Sequence, residues 1–78
     1  MMENVAERTL NLRGLKCPLP TLRVRKALKE LKAGDCLTAE CTDPLTEIDI
    51  PHLINQTGDD LVATTRVDKV LTFRIRKR

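Results

Sequence analysis

Apolar and polar residues alternate over Arg8-Thr9-Leu10-Asn11-Leu12, the two-residue period of a half-buried strand. The period then changes. Val24, Ala27, Leu28 and Leu31 fall at i, i+3, i+4 and i+7, one apolar stripe of a helix that opens after Cys17-Pro18-Leu19-Pro20. Ala33-Gly34-Asp35 ends that helix, with Gly34 as its left-handed terminal residue. Cys36 to Cys41 returns to strand, with Leu37, Ala39 and Cys41 on one face and Cys36, Thr38 and Glu40 on the other. Asp43 is placed to cap a second helix, with Pro44 at its first position. Pro51 predicts a break there, or a helix from near Asp49 to Thr57. Gly58-Asp59-Asp60 turns, Leu61 to Val67 is a third strand, Asp68-Lys69 a hairpin turn, and Val70 to Arg76 a fourth strand. The order β-α-β-α-β-β, with a right-handed crossover between the first two strands, predicts an α/β two-layer sandwich. Its sheet is four-stranded and mixed, and both helices cover one face.

The 78 residues allow one small domain, with residues 1–7 as a flexible lead-in to the first strand. Its core is thin, because a chain this short buries only about 60% of its unfolded surface. Absences narrow the chemistry. There is no Ser, Tyr or Trp and one His, so a serine-hydrolase triad and Tyr acid/base chemistry are excluded. Phe73 alone is no platform for base stacking, which argues against direct nucleic-acid recognition. Residues 1–10 hold no apolar signal segment, and no apolar run approaches the ~20 residues of a membrane helix. The expected compartment is the cytoplasm. The absence of a heptad repeat or large apolar patch predicts a monomer.

Charge comes in blocks beneath the net +3. Residues 8–32 carry +7, residues 33–60 carry −7 and residues 61–78 carry +5. The first block surrounds Cys17. That thiol follows a strand and precedes a helix, where unpaired N–H groups and the positive dipole end favour a thiolate. Arg13, Lys16 and Arg23 add positive potential, and Pro18 and Pro20 stiffen the segment. A rigid, exposed, activated thiol is what covalent group transfer requires. Thr42 and Asp43 end the second strand at the same sheet edge and are placed to line the approach to the thiol. Cys36 and Cys41 read as sheet or core filler, and His52 as a surface residue. A zinc site from the three Cys and His52 has no familiar ligand spacing, so no metal is expected. Two other readings stay open: a redox module pairing Cys17 with Cys36 or Cys41, and a basic nucleic-acid-binding module.

Gly14-x-x-Cys17-Pro18-x-Pro20, the basic helix, Gly34, Asp43-Pro44, Asp49-Ile50-Pro51, Gly58 and the closing hairpin together resemble the TusA/SirA-like family of small sulfur carriers. The resemblance runs from about Leu10 to Lys77. It implies a fold like the C-terminal domain of a bacterial translation initiation factor. It also implies a persulfide formed on Cys17, with Gly14, Pro18 and Pro20 orienting the thiol. A cysteine desulfurase or rhodanese-type protein would donate the sulfur and an acceptor protein would take it, in tRNA thiolation or another sulfur-transfer pathway. Such carrier chemistry needs no resident cofactor. Arg13, Lys16, Arg23, Lys26, Thr42 and Asp43 are the candidates for thiolate stabilisation or partner docking. Asp59 stands where many relatives carry His.

Overall fold

The computed structural model describes residues 6–78. Its elements are β1 (Glu7–Leu12), α1 (Leu19–Glu30), β2 (Cys36–Cys41), α2 (Thr46–Thr57), β3 (Asp60–Val67) and β4 (Val70–Arg76). The sheet order is β1-β2-β4-β3. β1 and β2 run parallel, as the helical crossover between them demands, and β4 pairs antiparallel with both β2 and β3.

Strand periodicity decides which face is covered. Leu37, Ala39 and Cys41 point inward and sit opposite Ile75, Phe73 and Leu71 of β4. All six are buried. Leu12 extends the row onto β1, while Val24, Ala27 and Leu28 of α1 and Ile50, Leu53 and Ile54 of α2 close over it. Among the described residues the opposite sheet face has no helix, and it carries Thr38, Glu40, Thr72, Arg74 and Arg76, none of them buried.

Several boundaries depart from the sequence expectation. Of the lead-in 1–7, residues 1–5 lie outside the described residues, and Glu7 already belongs to β1, paired with Cys36. Asp35 explains that early start: its carboxylate accepts from Ala6 N at 3.2 Å and Lys32 N at 2.9 Å. Gly34 does not cap α1. The helix ends at Glu30, and Leu31 leaves in extended conformation with its N–H on Leu28 O. Gly34, at φ 95°, instead turns the chain so that its N–H reaches Lys77 O at 2.7 Å.

Pro51 breaks nothing, since α2 runs unbroken from Thr46 to Thr57. Pro51 falls early in the helix and removes one donor, whose acceptor would be the carbonyl of Glu47. Glu47 is exposed, so water can serve that carbonyl. Gly58, at φ 80°, forms the left-handed C-cap, its N–H on Ile54 O. β3 and β4 are joined by Asp68-Lys69, with an irregularity in β3 between Leu61 and Ala63.

Candidate functional site

Two loops meet at the sheet edge where both parallel strands end. The β1–α1 loop supplies Cys17 and the β2–α2 loop supplies Asp43. Gly14 N donates to Thr42 Oγ1 at 2.8 Å, and Cys17 N donates to Asp43 Oδ2 at 2.7 Å. Gly14 adopts φ 84°, a conformation that costs other residues energy. The Gly and the Cys of the motif are thus tied to consecutive residues of the second loop.

Asp43 serves both loops. Its other oxygen accepts from Leu45 N at 3.1 Å, and its carbonyl accepts from Thr46 N at 3.0 Å and Thr46 Oγ1 at 2.6 Å. Asp43 therefore does not cap α2 as expected: it holds the turn before the helix, whose N-cap is Leu45 without a side-chain cap bond, and the α-helical run begins at Thr46 rather than Pro44. The two N–H donors hold the Asp43 carboxyl below its usual range, with Cys17 N the larger cause.

Cys17 sits one residue before Pro18, the N-cap of α1, across a cis peptide bond. Leu19 N closes a turn on Lys16 O at 2.9 Å. Pro20 is buried in the first turn of the helix, whereas Cys17 and Pro18 are exposed. The motif is anchored at its second proline and presents its thiol to solvent.

The thiol does not meet the positive surround expected of it. Cys17 Sγ donates to Asp49 Oδ2 at 3.0 Å. That hydrogen bond, with desolvation and the charges of Asp49 and Asp43, pushes the thiol up from its ordinary value. None of the basic residues acts on the thiol itself. Arg13 Nε donates to Asn11 Oδ1 at 3.1 Å and lies 3.7 Å from Glu40. Lys16 acts on Asp43, helping to hold that carboxyl down. Arg23 and Lys26 line a groove between α1 and the outer edge of β1, with Arg8, Leu10 and Glu30. Neither is among the groups that act on the thiol.

Asp49 is the residue that sequence reasoning missed as part of the site. It reaches the thiol from the first turn of α2, 32 positions along the chain. The only signal for it was the Asp49-Ile50-Pro51 motif.

The other cysteines differ from Cys17. Cys41 is fully buried, and burial pushes its thiol up. Cys36 opens β2 opposite Glu7, at the far end of the parallel pair from Cys17. The strand length between those ends is roughly 17 Å at about 3.3 Å per residue, far beyond disulfide reach. All three thiols are free. His52 is exposed on α2. Among the described residues, no three His, Cys, Asp or Glu side chains come together as metal ligands, and no helix is long and apolar enough to cross a membrane.

A family model described as "Sulfurtransferase TusA" matches residues 8–77. A Neisseria meningitidis protein named "Putative sulfur carrier protein" is 40% identical over 70 residues, covering 90% of this chain and 95% of its own. The "Sulfur carrier protein TusA" of Pseudomonas entomophila is 33% identical over 78 residues, covering 100% of this chain and 98% of its own. The crystal structure of a SirA-like protein from Desulfitobacterium hafniense has the same fold, with a TM-score of 0.80 at 24% identity over 88% of this chain and 95% of that one.

Proposed function

The chain belongs to the sulfurtransferase TusA family, and on that premise we propose that it is a sulfur carrier which accepts a sulfane sulfur on Cys17 as a persulfide and passes it to an acceptor protein. The observation that carries this reading is the exposed Cys17 thiol on a loop tied down by Asp43 and anchored by buried Pro20. A fixed loop lets a partner's reactive sulfur find one geometry, which is the orientational part of catalysis.

Loading is thiol–persulfide exchange. Cys17 Sγ attacks the terminal sulfur of the donor persulfide. The donor's sulfur–sulfur bond breaks, the new bond forms on Cys17, and the donor leaves as a thiol carrying the proton that Cys17 gives up. No net oxidation occurs and no cofactor of the carrier's own takes part. A cysteine desulfurase or rhodanese-type protein supplies the sulfur, and the acceptor belongs to tRNA thiolation or another sulfur-transfer pathway. The exposed basic residues of α1 flank the thiol loop and suit an acidic partner surface.

The test is intact-protein mass after incubation with a cysteine desulfurase and cysteine. The expected result is a gain of one sulfur atom in the wild type and in Cys36→Ala, and none in Cys17→Ala. Uptake that survives Cys17→Ala would overturn the assignment.

A further inference from the structure

A sulfur carrier poses a chemical problem that its fold must solve. Its thiol has to be open to a partner protein, yet an open thiol is also open to every small oxidant and disulfide. Reactivity in both cases depends on the thiolate. The site contains a group suited to separating the two. Asp49 Oδ2 lies 3.0 Å from Cys17 Sγ, and this is the hydrogen bond the thiol makes.

We propose that Asp49 is a gate on Cys17: it keeps the thiol hydrogen-bonded and protonated while the carrier is free, and a docked sulfur donor opens the gate by offering Asp49 a cation. This inference rests on the carrier reading and adds to it the residue that determines which sulfur sources the thiol accepts.

The arrangement of charge supports the gate from every side. α2 contributes Asp49, the loop before it contributes Asp43, and the β1–α1 loop contributes Lys16, which acts on Asp43. Arg13 is turned toward Asn11 and Glu40, and Arg23 and Lys26 lie along the groove by β1. The thiol's own direct partner is thus a carboxylate that, among the described residues, forms no salt bridge. A thiolate formed there faces like charge, while a thiol finds an acceptor. Asp49 is half-buried and the sulfur is exposed, so a partner surface can reach both. A Lys or Arg from that surface would pair with Asp49 and turn a repulsive neighbour into part of a neutral pair. The exchange then proceeds as written above, with the proton of Cys17 ending on the departing donor thiol.

A purely structural account of Asp49 is available, because a carboxylate in the first turn of a helix is favoured by the dipole. The two accounts separate in a pH profile. A structural role changes stability and leaves the titration of Cys17 alone, whereas a gate changes the titration.

The experiment measures iodoacetamide alkylation of Cys17 against pH, resolved by peptide mapping, in the wild type, Asp49→Asn and Glu47→Gln. Asn keeps the shape and an acceptor oxygen but removes the charge. Glu47 is a carboxylate on the same turn that pairs with Arg66 and does not touch the sulfur. Asp49→Asn is expected to move the alkylation midpoint to lower pH and to raise the rate at neutral pH severalfold, with Glu47→Gln unchanged. Loading by a persulfidated cysteine desulfurase gains less, so the ratio of donor transfer to alkylation falls. An unchanged or higher midpoint in Asp49→Asn, or an equal shift in Glu47→Gln, overturns the gate. If a wild-type persulfide forms on Cys17 in that case, the carrier reading stands without the gate. If none forms, both fall.

Discussion

Cys17 is held by its backbone and by its sulfur, each time by a carboxylate, and the two carboxylates do different work. Asp43 positions the loop through Cys17 N, and Asp49 meets the thiol itself. The Asp43 prediction follows from its two acceptor oxygens. In Asp43→Asn one of them becomes an amide that faces an N–H, so a donor is left unpaired and the melting temperature falls. The pH dependence has a definite sign. Asp43 is held below its usual range when folded, so its contribution is complete above the ordinary carboxylate pKa of about 3.9 and is lost as pH falls through the lower folded value. Thermal melts should show a constant gap between wild type and variant near neutral pH, closing in strong acid. A gap that widens in acid would refute that role. At this scale the sequence was legible where neighbours in the chain are neighbours in space, as with Cys17, Pro18 and Pro20. It misled where they are not. Of the cations around Cys17 in sequence, Arg13 turns to Asn11 and Glu40, and Arg23 lines the β1 groove, while the carboxylates that bond Cys17 at its N–H and its thiol come from 26 and 32 positions away.

Elements were legible in proportion to the strength of their period. The alternation in β2 and β4 and the stripe Val24, Ala27, Leu28 gave the correct faces, since burial on one side leaves no other register. The ends of helices were less so. Pro51 looked like a breaker because propensity counts a lost bond, but the affected carbonyl is on an exposed residue and the helix is retained by Ile50, Leu53 and Ile54 in the core. Two substitutions check this balance. Phe73 is fully buried and is the largest core side chain, so Phe73→Ala should cost about 3–5 kcal/mol in urea unfolding. That is a large share of the stability of so small a domain. Gly58 has open space around its absent side chain and φ 80°, so Gly58→Ala should cost about 1–2 kcal/mol from backbone strain alone. A neutral Gly58→Ala would show that the α2 terminus relaxes.

Across the whole molecule, the blocks of charge become surfaces. Arg23, Arg25, Lys26 and Lys29 are all exposed on α1, and Glu47 and Asp49 lie in the first turn of α2. A partner that meets both helices meets opposite signs, which fixes orientation as well as attraction. Double reversal at Arg23→Glu and Lys26→Glu should slow sulfur loading by roughly tenfold at low salt, within the range of electrostatic steering. The alkylation rate of Cys17 should not change, because neither residue touches the thiol. A loading rate insensitive to both the reversal and added salt would place docking elsewhere. The same view explains why so small a repertoire suffices. With no Ser, Tyr or Trp and one His, the chain needs, on the function proposed above, to supply only a positioned sulfur, its partners bringing the remaining chemistry.

The central claim is that Cys17 carries the sulfur, and peptide-level mass spectrometry of the wild-type chain after one round of loading tests it most directly. The account predicts one additional sulfur on the peptide holding Cys17, removed by a reducing thiol, with the Cys36 and Cys41 peptides unmodified. Sulfur found on Cys36 or Cys41 instead, or no sulfur on any cysteine, would contradict it.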